Sequence, residues 1–303
     1  MVTPASWLPE EVGAAARRAG RDLRVVQYPG LDVEPPEQLP KDVAWWCPMG
    51  WANRLLATGI DPGFQVPPAN LLARLTRASL RRRVVVDTVA NLREYTPAWI
   101  REAQMVHVKP AAIKMSALPA EVRPWSAVAH ADLPDDLLLQ VSEQVSFVRE
   151  WRCIVAGAQL AGISSYLRPA GDLALIGRTI DGPGDAQVTW DAWDAALERE
   201  LPCTQAATDF VESTLWRLHM PQGALPGGWV LDVGQLDDGT FAVVESNPVW
   251  CANPYHCDRV VFADAVIAAQ GRPVRPSCTW RGDNHLPHLP LHVSTIPTGM
   301  SSV

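Results

Sequence analysis

Two lysines mark the first segment whose residues are suited to phosphate chemistry. Lys109 ends the alternating run Val106-His107-Val108-Lys109, and Lys114 follows five residues later. The chain has 26 basic residues, and its only other lysine is Lys41. Two ammonium groups held close together repel each other unless anionic oxygens lie between them. The pair therefore suggests a polyphosphate ligand, and two solvated surface lysines are the alternative.

Oxygen donors near the end of a strand mark a second segment. Glu245 and Asn247 stand two residues apart in Val243-Val244-Glu245-Ser246-Asn247, so they share one face of the predicted strand. Asp232 lies on the partner strand of the same predicted hairpin. Two carboxylates and an amide oxygen suit Mg²⁺, which takes few protein oxygens and completes its octahedron with phosphate and water. An ordinary Asn-Pro turn after a strand is the alternative.

A third segment, residues 140–155, interleaves apolar residues with charged ones. Strand alternation places Glu150 and Arg152 on one face. Without further context, this pattern also fits an exposed strand with cross-paired charges. A run of three arginines, Arg81 to Arg83, precedes another strand and is interpreted as a solvated strand edge, with a phosphate or partner contact as the alternative.

Composition and missing motifs exclude several classes. The chain is 48% hydrophobic and 19% charged, which is typical of a globular protein. A net charge of −7 gives no overall basic excess for nucleic acid or an anionic membrane. The P-loop, the Rossmann fingerprint, His-Glu-x-x-His and Gly-x-Ser-x-Gly are all missing. Apolar stretches are short and the N-terminus lacks a secretory pattern, so we expect a cytoplasmic protein with reduced cysteines.

Hydrophobic periodicity predicts alternating strands and helices up to residue 80 and a β-rich region from residue 138. Hairpin turns are expected at Gly157 and Gly239. The predicted strands are Leu23–Gln27, Val43–Cys47, Val84–Val86, Met105–Lys109, Leu138–Val141, Val145–Phe147, Trp151–Ala156, Gln159–Tyr166, Leu173–Thr179, Trp229–Gly234 and Thr240–Ser246. The predicted helices are Pro97–Ala103, Asp191–Glu200, Thr204–His219 and Asp258–Gln270.

The three segments together, in this order, resemble the ATP-grasp superfamily. The nearest likeness is to the clade named for two arginines and one lysine, whose motifs are similar to Val-x-Val-Lys-Pro-x-x-x-Lys, Glu-Trp-Arg and Val-Val-Glu-x-Asn-x-x-Trp. The resemblance covers roughly residues 81–270. It implies an α+β ATP-grasp fold, in which two lobes hold ATP. We expect a small N-terminal α/β domain at 1–80, the ATP-grasp domain at 81–275 and a tail rich in proline and histidine at 276–303.

The resemblance also implies roles for individual residues. Lys109 and Lys114 would contact the ATP phosphates, and Lys109 would also be catalytic. Ser142, Glu143, Gln144 and Val145 would read adenine or ribose, and Arg168 and Arg178 would add charge near ATP or substrate. Asp232, Glu245 and Asn247 would bind Mg²⁺. Arg152 would act catalytically by holding a phosphate or the substrate carboxylate. The clade often has glycine before the tyrosine that follows its last motif, whereas Pro254 precedes Tyr255 here.

The implied reaction is ligation of a carboxylate to an amine, with ATP and Mg²⁺ as cofactors, an acylphosphate intermediate and ADP as product. The expected partners are a small-molecule acid and amine, with amino acids or a peptide among the candidates. Neither nucleic acid nor a membrane is expected, and a homodimer is compatible with the resemblance. Two alternatives stay open: a phosphotransferase acting on a small molecule, and an inactive nucleotide-binding regulatory protein.

Overall fold

The computed structural model describes residues 1–3, 8–23, 25–27, 43–111, 118–167, 190–218, 220, 224–271 and 275–282. These residues form two compact units. The first unit combines residues 1–84 with residues 145–282, and the second contains residues 85–144. Lys114, Arg168, Arg178, the predicted strand Leu173–Thr179 and the tail from residue 283 lie outside the described residues. The three-part division at residues 80 and 275 stays a prediction.

The N-terminal part of the first unit is a small α/β arrangement. A parallel pair joins β1 (Val2–Thr3) to β2 (Val26–Gln27), which is shorter than predicted. The helices here are α1 (Leu8–Arg18), α2 (Met49–Ala57), a 3₁₀ turn (Leu72–Arg74) and α3 (Arg77–Leu80).

The predicted strand Val43–Cys47 is wrong, because this segment forms only an isolated β-bridge at Trp45 and no ladder. Gln270 accepts a hydrogen bond from the Trp45 amide and donates one to the Trp45 carbonyl, both at 2.8 Å. The Cys47 amide donates to the Trp250 carbonyl at 2.9 Å.

An antiparallel sheet of four strands is the centre of the first unit, in the order β10-β9-β7-β8. Its strands are β7 (Arg149–Ala156), β8 (Gln159–Leu167), β9 (Gly228–Gln235) and β10 (Phe241–Asn247). Both expected hairpin turns are confirmed, since Gly157 and Gly239 have φ values of 58° and 81°. Such positive φ values favour glycine, which has no Cβ.

Two helices pack against this sheet, α7 (Trp190–Leu218) and α8 (Arg259–Ala268). Ala207, Val211 and Leu215 of α7 join Trp151 and Val233 in a buried core. On the opposite face, an added Cβ at Gly228 would come within 2.0 Å of the Ala265 carbonyl oxygen of α8. The expected break between Glu200 and Thr204 is wrong, because the chain continues through both predicted segments as one helix. The final helix is confirmed, with the Asp258 side chain capping its N-terminus.

The second unit contains the other sheet of four strands, in the order β3-β6-β4-β5. These are β3 (Val84–Thr88), β4 (Val106–Pro110), β5 (Glu121–Arg123) and β6 (Leu138–Ser142). Three short helices, α4 (Val89–Glu94), α5 (Ala98–Glu102) and α6 (Trp125–Ala129), supply residues to its core. That core includes Ile100, Val106, Val108, Leu139 and Val141.

The strand predicted at Val145–Phe147 is wrong. Residues 143–147 are outside any described strand, and the Phe147 ring covers Gly234, where an added Cβ would lie 2.2 Å from Phe147 Cδ1. Phe147 therefore packs onto the face of β9 instead of continuing an edge. All six cysteines are free, and four of them are buried. Among the described helices, none is both long and apolar enough to cross a membrane.

Candidate active site

A row of polar residues crosses the first unit's sheet from strand to strand. Ser164 of β8 pairs with Arg152 of β7, Arg152 with Asp232 of β9, and Asp232 with Glu245 of β10. Directly paired residues project to the same face of a sheet. The row therefore lies on the face that α8 covers, opposite the apolar core with Trp151 and Val233. Glu150 shares this face two residues before Arg152, as the alternation predicts.

The centre of the row is a buried ion pair. Arg152 donates from Nε to Asp232 Oδ1 at 3.0 Å and from Nη2 to Oδ2 at 2.8 Å. A third bond runs from Arg152 Nη1 to the Asn253 carbonyl at 2.8 Å. Arg152 is 6% exposed and Asp232 is 0% exposed. Burial alone would lower the pKa of Arg152, but the Asp232 carboxylate outweighs it and raises that pKa. The guanidinium is therefore permanently charged.

Two tyrosines cover the guanidinium of Arg152. The rings of Tyr166 and Tyr255 stack with centroids 4.8 Å apart and planes 7° from parallel. Arg152 Cζ lies 4.7 Å from the Tyr255 centroid and 5.4 Å from that of Tyr166, which are cation–π distances. Tyr255 holds an unusual left-handed φ of 48°, and its amide donates to Asn253 Oδ1 at 2.7 Å. Arg152 thus fixes both Asp232 and the turn that carries Tyr255.

Glu150 and Tyr166 form a second polar contact beside the ion pair. The Tyr166 hydroxyl donates to Glu150 Oε2. Burial raises the pKa of Glu150, and the Tyr166 hydrogen bond opposes that shift. Burial also raises the pKa of Tyr166, with added contributions from the Asp232 and Glu150 charges. Tyr166 therefore stays a hydrogen-bond donor at neutral pH.

A β-bulge brings Glu245 onto the row. Val243 pairs with Val233, but the next register pair is Glu245 with Asp232, so Val244 is an extra residue in β10. Val243 points into the apolar core. In an uninterrupted strand Glu245 would point there too, because side chains alternate with a period of two. The bulge instead places Glu245 and then Asn247 on the polar face.

The three residues predicted to bind a metal come together. Asn247 Nδ2 lies 2.9 Å from Glu245 Oε1 and 3.2 Å from Asp232 Oδ2, so one amide bridges both carboxylates. Within the described residues, no group of three or more His, Cys, Asp and Glu side chains is arranged to hold a metal. The donor set here is two carboxylates and an amide, and such hard oxygen donors fit Mg²⁺.

In the second unit, Lys109 lies on a buried polar face. Lys109 pairs with Gln140, and His107 pairs with Ser142, on the face opposite Val108 and Val141. Lys109 is 7% exposed, and Gln140 and Ser142 are each 2% exposed. Of the residues predicted to read adenine or ribose, Ser142 ends β6, and Glu143, Gln144 and Val145 follow it outside any described strand.

Arg82 is the functional candidate that the sequence analysis misjudged. The interpretation of Arg81 to Arg83 as a solvated edge is wrong at its middle residue, which is 5% exposed. Arg82 bonds to the carbonyls of Val243 and Val244 at the bulge. Only the apolar flank, Leu80 before and Val84 after the run, could have indicated that one of the three arginines turns inward.

Three comparisons with known proteins bear on this site. Residues 80–265 match the model of an ATP-grasp domain family, the second family of the clade named for two arginines and one lysine. No curated protein sequence matches the chain.

Many solved structures resemble the chain. The D-cycloserine synthetase DcsG is 14% identical with a TM-score of 0.46, over 88% of this chain and 97% of that one. The macrocyclase MdnC of Microcystis aeruginosa, bound with its precursor peptide MdnA, is 14% identical with a TM-score of 0.44, over 88% and 99%. A RimK domain ATP-grasp protein from Sphaerobacter thermophilus is 16% identical with a TM-score of 0.41, over 88% and 97%.

The family model covers more than half of the chain, and the residues it spans include the ion pair, the bulge and the buried lysine. The observed fold is α+β, with two separate antiparallel sheets and the helices that pack on them. The chain belongs to the ATP-grasp superfamily, in the clade named for two arginines and one lysine.

Proposed function

We propose that this protein is an ADP-forming ligase that joins a carboxylate to an amine through an acylphosphate, making an amide or peptide-like bond. The observation that carries the proposal is the row of Arg152, Asp232 and Glu245, with Asn247 beside it, on one face of one sheet. Membership in the superfamily supports ATP as the nucleotide. The donor chemistry of the row supports Mg²⁺ as the metal.

Two kinds of charge would act on the nucleotide. Lys109 and Lys114 would contact its phosphates, and Asp232, Glu245 and Asn247 would hold the metal. Bound Mg²⁺ would neutralise charge that develops on the transferring phosphoryl group. Phosphoryl transfer needs little covalent chemistry from a protein, because alignment and charge neutralisation supply most of the catalysis. Residues 142–145 would read the adenine or ribose, and Arg168 and Arg178 would add charge near ATP or substrate.

Arg152 would organise this site in two ways. Its bidentate bond holds the Asp232 carboxylate in one orientation. Its two remaining N–H groups would donate to a phosphate or to the substrate carboxylate. A guanidinium that keeps its charge at every working pH suits that role, because it never releases a proton to the reacting groups.

The reaction has two balanced steps. A carboxylate oxygen of the acid attacks the terminal phosphorus of ATP, and the bond to the bridging oxygen breaks to release ADP. The amine then attacks the acyl carbon, loses a proton and displaces inorganic phosphate. An acylphosphate reacts with water, so the site must exclude solvent during both steps.

The test is ADP release from ATP and Mg²⁺ against a panel of acids, amines, amino acids and small peptides. A ligase should release ADP only with an acid and an amine together, and Glu245→Gln should lower that release about 100-fold. Release with a single acceptor and no amine would instead indicate a phosphotransferase. Nucleotide binding without turnover across the panel would favour an inactive regulatory protein. A cytoplasmic location is part of the same proposal, and a homodimer is compatible with it.

A further inference from the structure

Arg82 reaches the β10 bulge because of how α3 ends. Arg81 takes a left-handed φ of 53° and its amide donates to the Arg77 carbonyl at 2.8 Å, which closes the helix and turns the chain. The next residue, Arg82, then points inward. It is 5% exposed, whereas Arg81 and Arg83 on either side are both exposed.

The guanidinium of Arg82 binds two consecutive carbonyls of β10. Nη1 donates to the Val243 carbonyl at 2.6 Å, and Nη2 donates to the Val244 carbonyl at 2.8 Å. Nη1 also donates to the Leu80 carbonyl at 3.1 Å, which ties the end of α3 to the same place. Consecutive carbonyls of a regular strand point to opposite edges, so one guanidinium could not reach both. It reaches both here because the bulge at Val244 turns one of them.

The bulge decides which face Glu245 occupies. Val243 belongs to the apolar core, so without the extra residue the alternation would send Glu245 into that core and Val244 onto the polar face. β10 is also an outer strand of its described sheet, where Arg82 takes the place of a neighbouring strand for these two carbonyls.

We propose that Arg82 is a positioning residue: its guanidinium holds the β10 bulge and thereby keeps Glu245 and Asn247 beside Asp232. The inference rests on the proposed function, in which these three side chains bind the metal. Arg82 itself contacts backbone carbonyls, and the groups it positions carry out the chemistry.

The charge of Arg82 is maintained in spite of its burial. Burial lowers the pKa of Arg82 to about 10, and the nearby Glu245 carboxylate opposes that lowering. The side chain is therefore still a cation at neutral pH. A lysine at this position would keep the charge but lose the planar fork that spans two carbonyls. The lysine variant thus separates the charge of Arg82 from its geometry.

The experiment compares wild type, Arg82→Gln, Arg82→Lys and the exposed neighbour control Arg81→Gln. Mn²⁺ binding at saturating ADP is followed by electron paramagnetic resonance, and ADP binding in EDTA is measured separately. We expect Arg82→Gln to weaken Mn²⁺ binding at least tenfold while ADP binding in EDTA changes less than twofold. Arg82→Lys should recover only part of the loss, and Arg81→Gln should match wild type.

A second variant distinguishes positioning of the bulge from general support of the fold. Deleting Val244 removes the extra residue, so Glu245 reaches the polar face through regular pairing. Combined with Arg82→Gln, the deletion should restore most of the Mn²⁺ affinity. The inference is overturned if Arg82→Gln binds Mn²⁺ like wild type, or if the folded double variant binds no better than Arg82→Gln.

Hydrogen exchange tests the role of Arg82 even if the proposed function is wrong. If wild type binds no Mn²⁺ with ADP, the metal assignment fails, and hydrogen exchange then tests Arg82 alone. Amides of residues 243–247 should exchange at least tenfold faster in Arg82→Gln than in wild type, while those of β7 keep their rates. Unchanged exchange at residues 243–247 would refute the positioning role directly. If Arg82→Gln does not fold, Arg82→Lys carries both measurements with a smaller expected change.

Discussion

The two four-stranded sheets that the structure describes reach a polar face by different routes. In the second unit, β4 and β6 pair without a break, and Lys109, Gln140 and Ser142 follow from simple alternation with Val108 and Val141. In the first unit, the row on β7, β9 and β10 needs an extra residue at Val244 and an arginine 161 positions away from Val243 in sequence. In the second unit, the alternating sequence pattern alone places the polar side chains on one face. In the first unit, contacts between residues distant in sequence place them there.

The two faces also differ in how their charges are arranged. Arg152 and Asp232 neutralise each other in a bidentate pair, and tyrosine rings cover the guanidinium. Lys109 of the second unit is also buried, but the residue opposite it in the sheet is the neutral Gln140. A substitution that breaks the Arg152–Asp232 pair should therefore disturb folding and chemistry together. A substitution at Lys109 should weaken nucleotide binding.

The largest effect should come from breaking the ion pair. Arg152→Met leaves the Asp232 carboxylate buried without its cation, which costs about 3–5 kcal/mol of unfolding free energy. Urea denaturation measures this loss. The double variant Arg152→Met with Asp232→Leu should regain most of the stability, because the remaining charge is gone, but no ADP release. A stable Arg152→Met single variant would contradict the description of the pair as a mutually compensating one.

Glu245→Gln should separate chemistry from folding in the same row. The substitution keeps the shape of the side chain and removes one metal carboxylate, so we expect a loss of about 100-fold in ADP release, or about 2.7 kcal/mol. The midpoint of thermal unfolding should hardly change. Glu212→Gln, on an exposed face of α7, is the matched control and should behave like wild type.

Lys109→Met tests whether the polar face of the second unit's sheet contacts the ATP phosphates. Loss of a phosphate contact should weaken ATP binding about tenfold, or about 1.4 kcal/mol, which calorimetric titration can resolve. Arg101→Met, an exposed cation on α5, serves as the control. An unchanged ATP affinity for Lys109→Met would show that the polar face of the second unit does not contact the phosphates.

The smallest expected effect is on pH dependence at Glu150. Burial raises the pKa of Glu150 in the folded state, so the folded protein binds this proton more tightly than the unfolded chain. The resulting stability is fully present below the unfolded pKa and is lost as pH rises through the folded pKa. Glu150→Gln should remove this loss, so unfolding free energies measured from pH 4 to pH 8 should decline less in the variant. A steeper decline in Glu150→Gln would contradict this, because it would mean that folding lowers the pKa of Glu150.

Most strands could be predicted from the sequence, as could the shared face of Glu150 and Arg152, because alternation and hairpin turns are local signals. Gly157 and Gly239 were both expected turns, and Glu150 and Arg152 were expected on one face. The predicted roles of these residues toward ATP, Mg²⁺ and substrate stay predictions.

Other features could not be inferred, because they depend on contacts distant in sequence. The predicted strand at Val43–Cys47 is reduced to a bridge at Trp45, whose amide and carbonyl bond to the side chain of the distant Gln270. The inward turn of Arg82 depends on a left-handed residue before it and on a bulge far along the chain. Runs of identical arginines give no local indication of which member is buried.

The central claim is that the polar face of the first unit's four-stranded sheet holds the metal that accompanies the nucleotide. The most direct measurement is calorimetric titration of ADP into wild type and Glu245→Gln, each in Mg²⁺ and in EDTA. The account predicts that Mg²⁺ tightens ADP binding at least tenfold in wild type, and that Glu245→Gln loses this gain while keeping the EDTA affinity. A gain of equal size in both proteins would contradict the account and place the metal elsewhere.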